Sequence, residues 1–136
     1  MSLEGAIDQL QAIARGLAGI KSAPDDPPEQ ASAFPFAVTY PSSGDWDGSS
    51  SGEILTRESH ALTCEIHLGR SASLPSAIAQ AIPYHDLFLA AIRADSNLND
   101  EVEVIETGGY TFGPMQWANI DTIGYRFTVN VRIESC

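Results

Sequence analysis

The sequence predicts an α+β domain in which two main helices pack against an antiparallel or mixed β-sheet. Its 136 residues suit a single domain running 1–136. Folding a chain of that size buries on the order of two-thirds of its unfolded surface, enough for a core without covalent staples. Two stretches, Leu3 to Ile20 and Leu74 to Ala94, repeat apolar residues at three- and four-residue steps, the period of one helix face. Other stretches alternate apolar and polar residues, the period of a strand with one buried side. The longest is Ile120 to Ile133, with Ile123, Tyr125, Phe127, Val129, Val131 and Ile133 on one parity and Gly124, Arg126, Thr128, Asn130 and Arg132 on the other. Its backbone N–H and C=O groups all need partners, which makes it a central or near-central strand.

Taken in order, Leu3, Ile7, Leu10, Ile13 or Ala14, Leu17 and Ile20 form the stripe of the first helix. Ser2 can cap its start, and Gly19 with Pro24 marks its end. Ser22 to Ser32 holds Pro24, Pro27, Pro28 and a run of acids, a connector that cannot keep regular structure. Phe34, Phe36, Val38 and Tyr40 alternate as a short strand whose Pro35 fits a strand start or a sheet edge. Pro41 to Gly52 is polar and glycine-rich, and it reads as a long loop that is either mobile or used for contact. Glu53 to Gly69 alternates again: His60, Leu62, Cys64, Ile66 and Leu68 share the dry side, and Ala61, Thr63, Glu65 and His67 the wet one.

Ser73 and Pro75 start the second helix. Its stripe is Ile78, Ala81, Ile82, Leu87 or Leu89, Ala91 and Ile92, and Pro83 should kink or split it. After Asn97 to Asp100, Val102, Val104 and Ile105 read as a strand, Gly108-Gly109 as a turn, and Tyr110-Thr111-Phe112 as the return. Gly113-Pro114 interrupts that strand, and a loop with Met115, Trp117 and Asn119 leads into the closing strand.

Eighteen acidic residues against seven basic ones give a formal charge of −11 and a pI near 4.4. Such a surface repels phosphates, which need several Lys or Arg contacts to be held, so tight nucleic acid binding is not expected. Cys64 and Cys136 make no disulfide framework, and a reducing setting is expected. No signal-peptide pattern or membrane span is read, and a soluble protein with no membrane partner is expected.

Gly48-Ser49-Ser50-Ser51-Gly52 matches the G-x-S-x-G of hydrolase elbows, but an elbow needs a strand entering and a helix leaving. Here a polar stretch enters and a strand leaves, so no nucleophile is expected at Ser50. His60 and Cys64 would stand about 13 Å apart on one side of a strand while His67 points to the other, so no metal site is expected. Asp45 and Asp47 before Gly48 resemble a calcium-loop opening, but the twelfth position is Thr56, where a bidentate Glu is required. No catalytic residue and no cofactor are expected. The candidate interface residues are Trp46 with its neighbours Asp45 and Asp47, and Trp117. A large aromatic in a polar loop is costly to leave wet and either anchors a partner or folds back on its own core.

The succession of a helix, a proline-rich connector, FPFAVTYP, a polar stretch, GEILTRESHALTCEIHLGR, a helix from Leu74 and YTFGPMQWANIDTIGYRFTVNVRI resembles the tail terminator and tail-completion proteins of long-tailed bacteriophages. The resemblance spans nearly the whole chain as a pattern of elements with few fixed residues. It implies a structural protein of the virion tail, present in the host cytoplasm during assembly. It also implies a ring, typically a homo-hexamer, that caps the head-proximal end of the tail tube, ends tube growth and presents a docking surface. The implied partners are further copies of the chain, the tail tube protein and the connector or neck protein of the head, with DNA passing through but not tightly bound. Alternatives are another phage neck or tail component, a different interaction protein, and a small α+β ligand-binding or enzymatic domain with a pocket between helix and sheet.

Overall fold

The last strand, β4 (Ile120–Glu134), is an inner strand of a four-stranded antiparallel sheet, as its length demands. In a computed structural model describing residues 1–29, 33–48, 56–69 and 74–134, the chain runs α1 (Leu3–Arg15), β1 (Phe36–Asp47), β2 (Arg57–Gly69), α2 (Leu74–Ala81), α3 (Pro83–Ala94), β3 (Val104–Trp117) and β4. The sheet order is β1-β2-β4-β3, so β1 and β3 are the edges. The architecture is α+β.

All six alternating residues from Ile123 to Ile133 are buried, together with their β2 neighbours Leu62, Cys64, Ile66 and Leu68. This side of the sheet meets Ala6, Leu10 and Ala14 of α1, Ala77 and Ala81 of α2, and Tyr84 and Phe88 of α3. The Phe88 and Phe127 rings stack at 4.2 Å between centroids. Ser2 caps α1 by accepting the Gly5 N–H at 2.9 Å. The second helix divides at Pro83, which sits at the start of α3 where its missing N–H removes no helical bond.

Several local expectations give way to pairing. Helix α1 ends at Arg15 rather than Ile20. Gly16 closes it, and Gly19 takes φ +91° in the chain that follows. The first strand starts at Phe36, after a cis Phe34-Pro35 bond, and Ser22 of the connector makes a single parallel bridge to it. Pro41 to Asp47 is not a loop: it extends β1 along Arg57 to Leu62 of β2, with a bulge at Ser42. Serine, glycine and aspartate are poor strand formers, but a neighbouring strand with free ladder positions overrides that preference. Residues 49–52 of the expected loop, Ser50 among them, lie outside the described residues, as do the cap candidate Ser73 and Cys136.

Gly108-Gly109 does not turn the chain either. Both residues pair with β4, opposite Val129 and Thr128, inside one strand that also absorbs Gly113-Pro114 and the expected Met115–Trp117 loop. Pro114 is tolerated because β3 is an edge strand. Val102 is buried but precedes the strand, which starts at Val104. The turn falls at Ala118-Asn119, with φ +52° and +69°, the hand that matches the twist of paired strands.

The wet parity of β2 is a further correction: Glu65 is 3% exposed and His67 wholly buried. The sheet has a second dry patch on the side away from the helices.

Candidate functional site

That second patch lies at the end of the sheet where β1 begins and β4 enters. Phe36 and Val38 of β1, His67 of β2 and Thr122 of β4 are all buried there. Trp117 packs on them, its ring 5.6 Å from Phe36 and 6.0 Å from His67, and its indole N–H donates to the Pro28 carbonyl at 3.1 Å. Of the two outcomes open to Trp117 from sequence, its contacts are those of folding back on its own chain.

Within this patch a polar network ties three strands together. Glu65 Oε1 accepts from His67 Nε2 at 2.7 Å, and Oε2 accepts from the Arg126 guanidinium at 2.9 Å and from the Tyr40 hydroxyl. In the neutral ring that leaves His67 Nδ1 to accept the Thr122 hydroxyl at 2.6 Å. Burial alone would push the Glu65 carboxyl up, but donation from His67, Tyr40 and Arg126 outweighs it and holds the group at about 2. Burial, and then the bond to Glu65, pushes Tyr40 up to about 12. The Glu65 carboxylate likewise raises Arg126.

Thr122, His67 and Glu65 have the connectivity of a nucleophile, a base and an orienting carboxylate. They lack access. Thr122 and His67 are fully buried, so an electrophile cannot approach the hydroxyl, and the geometry supports a structural clamp across β1, β2 and β4. Sequence reasoning missed it because Glu65 and His67 alternate with apolar residues as a solvated side would. Finding it needs the register, which sets Arg126 opposite Glu65 and brings Tyr40 of β1 to the same side.

The other members of the candidate metal set are not brought to His67. His60 and Cys64 face the helices, where His60 bonds Glu58 at 2.9 Å and burial pushes the Cys64 thiol up to about 12. Among the described residues no group of three or more His, Cys, Asp or Glu is placed to hold a metal ion.

Trp46 stands at the opposite end of the sheet from Trp117. It pairs with Glu58, which in turn pairs with Ile133, whereas Trp117 pairs with Ile120. The thirteen steps of β4 between those two positions span about 40 Å. The Trp46 ring is 67% exposed. Asp45 and Asp47 flank it on the other side of the strand, level with Ser59 and Arg57. Next to them, Arg132 lies 3.5 to 4.0 Å from Glu134, Glu103 and Glu106, and Arg57 lies 3.3 Å from Glu134. Carboxylates outnumber guanidiniums at this end, and the hydrogen bond that a protonated Glu103 donates to Glu134 raises the Glu103 carboxyl. The candidate interface residues therefore divide into an exposed acidic group, Asp45, Trp46 and Asp47, and a separate Trp117 engaged with its own chain.

A further opening of about 420 Å³ lies between α3 and β3, walled by Phe88, Leu89 and Ile92 on one side and Gly108, Gly109 and Tyr110 on the other. Its floor is Phe127 and Val129. No protein-family model matches the chain, and no curated protein aligns with it significantly.

Proposed function

We propose that the protein is a structural tail terminator of a long-tailed bacteriophage or prophage. Its subunits close into a ring, six-fold in the family it resembles, on the head-proximal end of the tail tube. The ring stops tube growth and offers a surface to the connector of the head. It works in the host cytoplasm during assembly and remains in the virion tail. The reading assigns no catalytic residue and no cofactor.

The observation that carries the proposal is the acidic open end of the sheet, where Trp46 projects into solvent on one side of β1 while Asp45 and Asp47 lie on the other, the side of Arg132 and its neighbours Glu103, Glu106 and Glu134. An exposed indole on an ordered strand supplies a rigid anchor for a neighbouring subunit. Head-to-tail contacts between identical chains close into a ring when the rotation allows it. A net charge of −11 leaves DNA free to slide through a lumen that a basic surface would grip. No described helix is long and apolar enough to cross a membrane.

Deleting the gene in the parent phage or prophage tests this. The expected result is tails of uncontrolled length that do not join filled heads. Normal-length tails attached to heads would overturn the proposal, even if the purified protein formed rings.

A further inference from the structure

An opening of about 520 Å³ lies where α1, the connector and β1 meet. Leu3 and Ile7 of α1 and Tyr40 of β1 give it apolar walls, while Glu4 and Asp8 of α1 and Asp25 and Asp26 of the connector line it with acids. The walls are held in place by buried hydrogen bonds. Gln11, 2% exposed, donates its amide to the Pro24 carbonyl at 2.8 Å and to the Ala37 carbonyl at 3.0 Å. Its oxygen accepts the Thr39 hydroxyl at 2.8 Å, so one side chain pins helix, connector and strand together. Arg15 Nε adds a bond to the Ala23 carbonyl at 3.0 Å, and the Tyr40 ring is tethered through its hydroxyl to Glu65. A ligand entering here meets walls that are already ordered.

The charge in this opening is not balanced from within. Of its four acids, Asp25 alone is ion-paired among the described residues, to Arg15, and Glu4, Asp8 and Asp26 have no such partner. Glu4 and Asp8 stand four residues apart on one helix, a spacing at which like charges repel. We propose that the opening binds a linear aliphatic polyamine, its methylenes against Leu3, Ile7 and Tyr40 and its ammonium groups beside Glu4, Asp8 and Asp26.

Charge, spacing and size select that chemistry. A chain with a net charge of −11 draws cations and repels its own copies, so the occupant is positive. A metal ion would need several carboxylates converging on one point, and among the described residues no three acids are so placed. The acids here are spread over apolar walls instead. Glu4 and Asp8 lie about 6 Å apart along α1, a distance that a short run of methylenes between two amines spans. The volume is that of a small-molecule site, and apolar walls with a few charged groups are what an amphipathic small ligand requires. The site uses no residue of the Trp46 end of the sheet and does not rest on the tail-end proposal.

The test is isothermal titration of the full chain with spermidine at about 150 mM salt, where attraction to scattered surface acids is screened. Saturable one-to-one binding is expected, with a rise in the thermal midpoint, as for a ligand that binds the folded state alone. Glu4→Gln combined with Asp8→Asn should raise the dissociation constant about tenfold, and Leu3→Ser, which leaves the charge unchanged, about threefold. The control, Asp86→Asn combined with Asp121→Asn, removes the same charge from exposed positions outside the opening and should change it less than about twofold. Absence of saturable binding would overturn the proposal. Equal weakening by the two double variants would overturn it too, by showing attraction to net charge alone. So would an unchanged affinity in Leu3→Ser, or displacement of spermidine by an equal concentration of magnesium, since either would mean point charges rather than a shaped site. The deletion phenotype is untouched by any of these outcomes, so the two proposals fail separately.

Discussion

Replacing Glu65 by glutamine removes the charge from the clamp while keeping its shape. The carboxyl lies at about 2 in the folded protein against an ordinary value of 4.5. Each tenfold change in acid strength is worth about 1.4 kcal/mol, so full expression of that difference amounts to about 3 kcal/mol. The Arg126 side chain is half exposed and water screens its share, so a loss of roughly 2–3 kcal/mol is expected for Glu65→Gln at pH 7. The pH dependence identifies the cause. Because the folded value is the lower one, the stabilisation is complete above 4.5 and disappears as pH falls toward about 2. Urea denaturation followed by tryptophan fluorescence measures this directly, since Trp117 touches the His67 ring. The native protein should exceed the variant at neutral pH, and the two should converge near pH 2. Other carboxylates titrate in both proteins and cancel in the difference. A gap of equal size at both ends of that range would refute the electrostatic account and leave only a packing effect.

Gly124→Ala should abolish soluble folding, because a Cβ there would lie 1.9 Å from the Ile66 carbonyl oxygen of the neighbouring strand; a soluble variant with a native melting curve would show that the β2–β4 approach is wrong. Val129→Asp should likewise prevent soluble expression by placing a carboxylate in the core, at a cost of several kcal/mol. Trp117→Ala should lower stability by about 2 kcal/mol through lost contact with Phe36 and His67, while Trp46→Ala should change it by less than about 0.5 kcal/mol, and thermal melts of the two distinguish a packed ring from a free one. Ala118→Gly should raise the free energy of urea unfolding by about 0.5–1 kcal/mol and move the midpoint up accordingly, since φ +52° disfavours a residue with a Cβ; an unchanged or lower midpoint would count against the turn geometry.

What the sequence determined by itself was the set of elements whose periodicity is sustained. The alternation from Ile123 to Ile133 is long enough to mark its apolar parity as the core side, and all six of those residues are buried. The helical segments were legible, as was the break at Pro83, because a missing N–H and a fixed φ act locally, but the second stripe was misplaced: Ile82 and Leu87 are exposed, and α3 buries Tyr84 and Phe88 instead. Turns were less legible. Gly108-Gly109 is flexible enough to turn, but flexibility only permits a bend, and β4 offered ladder partners that kept the pair extended. The bend went instead to Ala118-Asn119, where the composition signal is weaker. The polar stretch after Tyr40 became strand for the same reason, with β2 supplying the hydrogen bonds that its own residues do not favour.

Only the tertiary structure decided the character of the second side of the sheet. Glu65 and His67 look solvated when β2 is read alone. They are dry because the register sets Arg126 opposite Glu65, the β1 edge brings Tyr40, and Trp117 at the far end of β3 packs over Phe36 and His67. The same register separated Trp46 from Trp117, leaving one in solvent and burying much of the other. Which side chains share a side of a strand is a local property fixed by the two-residue repeat. Which strands lie next to one another, and what covers them, depends on contacts between residues far apart in the chain, such as Trp117 with Pro28, 89 positions away, and no local pattern encodes those.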